Sequence, residues 1–132
     1  MVNSYDPLGH IKILVANVKG SKEFYKKIFN KLDWKNIKEE DFGASWVSPE
    51  GFGFSIKEAE HKEHEYKFGS PGIHHFCFKA KSKGKVDEFY ELLLKEGVEI
   101  CDAPAAYPEY TEDYYAVFFF DPDGIKLELA YY

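Results

Sequence analysis

Two histidines and one glutamate in this chain could together hold a metal ion. His10 and His75 stand far apart in the sequence, and Glu128 lies near the end of its 132 residues. Two imidazoles and one carboxylate suit a divalent ion of iron, manganese, zinc, nickel or cobalt, and they leave coordination positions open. Open positions distinguish a catalytic metal site from a structural one. The fold must therefore bring these three side chains to one surface.

An internal repeat relates the two histidines. Three pairs of segments match in the same order along the two halves of the chain: residues 10–13 with 75–78, 23–25 with 88–90, and 48–51 with 121–124. The middle pair is the identical tripeptide Glu-Phe-Tyr. A duplicated module explains the ordered matches and gives His10 and His75 equivalent positions.

Each copy predicts the element order βαβββ. The opening strands alternate apolar and polar residues, at 9–16 and 74–81, and a helix follows each strand. The helices are predicted from apolar residues at helical spacing: Phe24, Tyr25, Ile28, Phe29 and Leu32, and Val86, Phe89, Tyr90, Leu93 and Leu94. Gly97 suits the left-handed position that ends the second helix. Three short strands complete each copy, near 34–38, 43–48 and 53–57 and near 98–101, 114–120 and 125–131.

We therefore predict an α+β fold class with two tandem βαβββ modules, which form a cupped mixed β-sheet with the helices on its outer face. The modules span about residues 8–57 and 74–131, and a charged linker, 58–73, joins them into a single domain of residues 1–132. In each module, Ser-Pro-Glu-Gly or Asp-Pro-Asp-Gly joins the last two strands as a type I turn.

Period-two alternation decides which side chains face away from the helices. In the first strand, Ile11, Ile13 and Val15 form an apolar row that must pack on the helix. The same alternation in four strands puts these residues on the opposite face: His10, Lys12, Leu14, Gly53, Ser55, His75, Cys77, Lys126, Glu128 and Ala130. A sheet with a helix on one side and a mostly polar face on the other indicates a cavity that contains the three candidate ligands.

The remaining histidines are not expected to bind this metal. His61 and His64 lie in the linker and are interpreted as part of a solvated surface rather than as a second metal site. Alternation puts His74 on the helix face, out of register with His10.

Three motifs carry a family resemblance: residues 9–11, residues 75–78, and residues 121–124 followed by Glu128. With them the chain resembles the vicinal oxygen chelate superfamily, which includes glyoxalase I, extradiol dioxygenases, fosfomycin-resistance proteins and bleomycin-binding proteins. The resemblance covers roughly residues 8–131. It implies that His10, His75 and Glu128 are metal ligands, and that the metal binds a small substrate through neighbouring oxygens.

Two positions depart from particular branches of that superfamily. Glyoxalase I has a fourth ligand, a glutamate, where the aligned turns put Ser55, so we expect water to fill this position. Lys12 replaces the small hydroxyl residue that often follows the first histidine. The sequence ends shortly after Glu128, so we also expect the C-terminal tail of the fosfomycin-resistance branch to be missing.

The resemblance leaves three functions open. The first is a divalent-metal-dependent lyase or isomerase of glyoxalase type, in which the metal acts as a Lewis acid. The second is an extradiol-type Fe(II) or Mn(II) dioxygenase, which would lose its activity without O₂. The third is a small-molecule binding or resistance protein of the same fold, which would hold a ligand without turnover.

Further side chains are candidates for the substrate pocket. Lys12 and Lys126 could offset negative charge on a substrate or extend to the solvent as solubilising residues. Ser55 and Cys77 lie on the same face, and packing is the expected role of Cys77. Glu128 is also a candidate catalytic residue.

The longer segment of the second copy is rich in tyrosine, between Tyr107 and Tyr115. It could form an aromatic lid over the cavity or an ordinary surface loop. The hydroxyl of Tyr114 or Tyr115 is a candidate acid/base group.

Composition and charge narrow the partners. The net charge is −6 without a block of basic residues, which disfavours nucleic acid as a partner. The longest apolar run, 114–120, is too short to span a membrane, and we expect neither a signal peptide nor a disulfide framework from Cys77 and Cys101. We predict a cytoplasmic protein that acts on a small molecule.

The resemblance further implies a homodimer. In that arrangement, His10 of one chain meets His75 and Glu128 of the other, and a two-fold dimer is the commonest oligomer of soluble proteins.

Overall fold

A computed structural model describes residues 5–132, which fall into two compact units, one ending at His64 and one of Glu65–Tyr132. The first unit contains β1 (His10–Val15), α1 (Val18–Lys31), β2 (Lys35–Glu40), β3 (Gly43–Val47) and β4 (Gly53–Glu58). The second contains β5 (Phe76–Lys79), α2 (Lys83–Lys95), β6 (Ile100–Ala106), β7 (Tyr115–Phe120) and β8 (Lys126–Tyr131). The predicted α+β class with tandem βαβββ modules is confirmed. Within residues 5–132, no helix is long and apolar enough to cross a membrane.

The first unit is a four-stranded mixed sheet covered by one helix. Its strand order is β1-β4-β3-β2, in which β1 and β4 are parallel and the other pairs are antiparallel. Asn17 caps α1, because its side chain accepts a hydrogen bond from the Gly20 backbone N–H at 3.2 Å. Aromatic rings join the helix to the sheet: the centroids of Tyr25 and Phe54 lie 5.1 Å apart.

The second unit repeats this architecture. Its strand order is β5-β8-β7-β6, so β8 lies between β5 and β7. Ser82 caps α2 by accepting from the Lys85 backbone N–H at 3.1 Å. The helix ends before Gly97, whose φ of +67° is the left-handed conformation predicted for it. Phe89 of α2 packs on Phe119 of β7 with ring centroids 5.5 Å apart.

The predicted turns before the last strands are confirmed. The Gly51 backbone N–H donates to the Ser48 carbonyl at 3.0 Å, and the Gly124 backbone N–H donates to the Asp121 carbonyl at 3.0 Å. These are the bonds from residue i+3 to residue i that close a β-turn.

The structure corrects two strand predictions in the second unit. β5 covers Phe76–Lys79 rather than residues 74–81, and β6 covers Ile100–Ala106 rather than residues 98–101. β6 contains Pro104, which lacks the N–H that a strand ladder uses. The pairing of β6 with β7 shifts register before Ala105 and then continues. Much of the segment that is longer in the second copy of the repeat therefore belongs to the hairpin of β6 and β7.

Candidate functional site

The first unit presents one candidate ligand, His10, on the exposed face of β1. Exposure alternates along this strand as predicted: His10, Lys12 and Leu14 are exposed, and the residues between them are more buried. His10 pairs with Gly53 in register. A Cβ atom at position 53 would lie 3.0 Å from the Cβ of His10, so glycine avoids a tight contact with the base of the His10 side chain.

Ser55 lies two residues along the same strand from Gly53. Its hydroxyl forms a hydrogen bond of 2.7 Å with the hydroxyl of Ser45 on β3. Ser55 is the residue that the aligned turns matched to the fourth ligand of glyoxalase I.

The second unit places Glu128 in the middle of a four-stranded sheet. Its register partners are Cys77 on β5 and Phe118 on β7, and it is only 2% exposed. Leu127 and Leu129 are also buried. Burial of an ionisable carboxyl is costly unless its oxygens are hydrogen-bonded or bind an ion.

Both oxygens of Glu128 have a partner. His75 Nε2 lies 3.0 Å from Glu128 Oε1, and the Tyr114 hydroxyl donates a hydrogen bond to Glu128 Oε2. Two of the three predicted ligands are therefore neighbours within the second unit.

The prediction for His74 was wrong. We expected its side chain on the helix face, but its Nδ1 lies 2.7 Å from Nδ1 of His75. Strand alternation does not apply here, because β5 begins only at Phe76. His74 is thus a close neighbour of a candidate ligand.

A cavity of about 320 Å³ contains this group of side chains. Its walls combine imidazole, carboxylate, ammonium and aromatic groups: His74, His75, Tyr110, Tyr114, Phe118, Lys126 and Glu128. The Lys126 ammonium lies 4.6 Å from the centroid of the Phe118 ring. This volume and mixture are typical of a site for a small molecule.

Tyrosines cover the face that we expected to be open and polar. Tyr107 and Tyr114 pack against a buried cluster of Ala116, Phe118 and Ala130. The Tyr107 ring stacks on Tyr110 with centroids 5.6 Å apart. Tyr110 and Tyr114 also line the cavity, as the aromatic-lid interpretation of the segment between Tyr107 and Tyr115 requires.

The two candidate acid/base tyrosines point to different groups. The Tyr114 hydroxyl donates to Glu128, whereas the Tyr115 hydroxyl donates to Asp87 of α2 at 2.7 Å. Burial raises the pKa of Tyr114, and the hydrogen bond to Glu128 raises this pKa further. The bond to Asp87 raises the pKa of Tyr115, so both phenols hold their protons at neutral pH.

Cys77 is an inert thiol in this environment. Burial first, and the nearby charge of Glu128 second, raise the pKa of Cys77 to about 12. A nucleophilic or ligating cysteine needs its thiolate, so packing is the role that this geometry favours.

Sequence comparison decides the family. Residues 7–129 match the model of the Glyoxalase/Bleomycin resistance protein/Dioxygenase superfamily. The chain belongs to this superfamily.

The sequences and structures similar to this protein align with more than nine-tenths of the chain. An uncharacterized protein of Bacillus subtilis, YqjT, is 31% identical over 123 residues, which are 92% of this chain and 95% of that protein. Glyoxylase I 4 of Arabidopsis thaliana is 26% identical over 93% of this chain and 69% of its own length. A solved structure from Bacillus halodurans, a candidate glyoxalase, covers 96% of both chains with a TM-score of 0.82 and 24% identity.

The His75–Glu128 pair fits the metal ligands expected in this superfamily. His75 Nε2 and Glu128 Oε1 are 3.0 Å apart, which is a direct hydrogen-bond distance and is also close enough for both atoms to bind one ion at about 2.1 Å. Across residues 5–132, His, Cys, Asp and Glu side chains form no group of three that could hold a metal ion. Of the three predicted ligands, His75 and Glu128 lie in the second unit and His10 lies in the first.

Proposed function

We propose that this protein is a divalent-metal-dependent lyase or isomerase, which binds a small substrate through neighbouring oxygens. His10, His75 and Glu128 are the proposed metal ligands. The observation that carries the proposal is the 3.0 Å separation of His75 Nε2 and Glu128 Oε1 inside a cavity of suitable volume. When bound, the metal would supply Lewis-acid stabilisation of negative charge on a substrate oxygen.

The cavity walls suggest roles for the chain's own residues. Lys126 would attract an anionic group of the substrate, since it is the ammonium group in this cavity wall. Phe118 and Tyr110 would pack on the apolar part of the substrate and exclude water. Tyr114 is a better candidate for proton donation than Tyr115, because the Tyr115 hydroxyl is bonded to α2 instead.

The direct test is reconstitution of metal-free protein with iron, manganese, cobalt, nickel or zinc, each followed by an assay of turnover. We expect turnover of α-ketoaldehydes, with or without a thiol, in the absence of O₂. A protein that binds no ion, or one that is inactive on these compounds with every ion, would contradict the proposal.

An extradiol-type dioxygenase is the second candidate, because two histidines and one carboxylate are also the donor set of non-haem Fe(II) oxygenases. Cleavage of a catechol only with Fe(II) or Mn(II), and only with O₂, would support it. A small molecule that is held without turnover would support a binding or resistance protein instead.

We further propose a cytoplasmic homodimer in which His10 of one chain completes the site of the other. Both cysteines are free thiols, which supports a reducing compartment. Mixing His10→Ala chains with Glu128→Gln chains should restore metal binding, because half of the sites in the mixed dimers would have every ligand. A monomer in light scattering, or mixtures no better than either variant alone, would contradict the shared site.

A further inference from the structure

Four side chains of the second unit form an unbroken row of polar contacts. His74 Nδ1 meets His75 Nδ1 at 2.7 Å, His75 Nε2 meets Glu128 Oε1 at 3.0 Å, and Glu128 Oε2 accepts from the Tyr114 hydroxyl. The two inner members of this row are proposed metal ligands, and the two outer members are not.

Tyr114 occupies one oxygen of Glu128 and leaves the other directed at His75. A carboxylate without such a partner can rotate and can bind an ion through either or both oxygens. Tyr114 is itself fixed, since its ring stacks on Tyr132 with centroids 4.9 Å apart. The hydroxyl therefore selects Oε1 as the ligand atom.

His74 acts on the other ligand in an equivalent way. A neutral imidazole that binds a metal through Nε2 carries its proton on Nδ1, and this proton needs an acceptor. Nδ1 of His74 lies at hydrogen-bond distance from that atom. The Phe68 ring packs beside His74, with centroids 5.2 Å apart, and restrains the imidazole.

We propose that Tyr114 and His74 are positioning residues, which hold Glu128 Oε1 and His75 Nε2 in the orientation that binds a metal ion. This inference rests on the proposed function, since it assigns His75 and Glu128 as ligands. Partners of this kind usually change metal affinity 10- to 100-fold when they are removed.

Titration of the metal-free protein with Co(II), followed by calorimetry and by the visible spectrum of the ion, tests the proposal without an activity assay. Tyr114→Phe and His74→Ala should each weaken Co(II) binding by about tenfold or more and change the spectrum. His74→Asn should recover part of the loss, because its amide oxygen can accept the Nδ1 proton. Tyr115→Phe is the matched control, since it removes the neighbouring hydroxyl and should leave the affinity unchanged.

Equal Co(II) affinity in wild type, Tyr114→Phe and His74→Ala would overturn the inference while leaving the metal site intact. Complete loss of binding in His74→Ala would also overturn it, because His74 would then be a ligand. If the wild type binds no Co(II), the proposed function fails and the inference is overturned with it, whereas equal affinities overturn the inference alone.

Discussion

Ser48 and Asp121 make the same hydrogen bond in the two copies of the repeat. The Ser48 hydroxyl accepts from the Phe52 backbone N–H at 2.9 Å, and the Asp121 carboxylate accepts from the Ile125 backbone N–H at 2.9 Å. Both side chains are buried. Asp121 also accepts from the Asp123 backbone N–H at 2.8 Å, so the turn that leads to Glu128 is held by one bond more than its counterpart.

Asp121→Ala should therefore destabilise the protein more than Ser48→Ala. Loss of a buried acceptor leaves backbone N–H groups unsatisfied, at about 1–3 kcal/mol for each buried group. We expect the free energy of unfolding in urea to fall by about 3 kcal/mol for Asp121→Ala and by about 1 kcal/mol for Ser48→Ala. Asp121→Asn keeps an acceptor oxygen and should retain most of the stability; a cost equal to that of Asp121→Ala would contradict this explanation.

Alanine substitutions at two glycines of the second unit should change the stability of the protein in opposite directions. Gly97 has a φ of +67°, and a Cβ there would meet no atom within 4 Å, so Gly97→Ala should cost about 1 kcal/mol from conformation alone. Gly84 is the second residue of α2, where a Cβ would lie 3.8 Å from the Ser82 hydroxyl oxygen. Gly84→Ala should therefore stabilise the protein by about 0.5 kcal/mol. Thermal unfolding of both variants checks this contrast. Equal shifts of Tm in the same direction would contradict it.

Much of the fold could be predicted from the repeat. Matching motifs fixed the order of elements in both halves, and Gly97 marked the end of α2 because few other residues adopt its conformation. The extent of β6 could not be predicted, because Pro104 lacks a backbone N–H and the ladder nevertheless resumes with the pairs Ala105–Ala116 and Ala106–Tyr115. Tertiary pairing here overrides a local signal.

Removal of a proposed ligand should lower the metal content of purified protein. Glu128→Gln, His75→Ala and His10→Ala should each lose most of one equivalent, measured by elemental analysis after purification without chelator. Glu128→Gln is the mildest change, because it keeps the volume of the buried side chain. His64→Ala is the control, since His64 is exposed beside Glu63; an equal loss in this variant would show that the assay reports adventitious metal.

Lys126→Gln should weaken binding of anions but not of neutral compounds. Glycolate and glycolamide both offer two neighbouring oxygens, and they differ in charge. We expect the Kd of glycolate for the Co(II)-loaded protein to rise about fivefold, or about 1 kcal/mol, and that of glycolamide to stay unchanged. Lys95→Gln, at the end of α2, should change neither Kd. Equal effects on both compounds would assign Lys126 a packing role.

The two thiols should differ sharply in reactivity. Cys101 is exposed and Cys77 is partly buried. Because the pKa of Cys77 is raised to about 12, almost none of this side chain is thiolate at pH 8. The rate at which Cys77 is alkylated should therefore rise about tenfold for each pH unit up to that pKa. Alkylation with iodoacetamide at pH 8, read by mass spectrometry, should modify Cys101 first. In Cys101→Ser no fast modification should remain; rapid labelling of Cys77 would contradict its burial.

The candidate site was only partly predictable from the sequence. Alternation placed Glu128 on this face, because it depends only on strand geometry. His74 and His75 both precede β5, so strand alternation sets the direction of neither imidazole, and it could not show that Tyr114 would cover Glu128. That contact depends on how the hairpin of β6 and β7 folds back, which a local pattern does not describe.

The two proposed ligand residues of the second unit differ in how firmly the backbone holds them. Glu128 sits in β8, paired on both sides, whereas His75 precedes β5 and follows a segment without regular structure. One donor is thus anchored, and the other can adjust by small movements of the chain before it. We expect such a pair to accept ions of unequal radius, so the metal found in this protein should follow cellular supply more than ionic size.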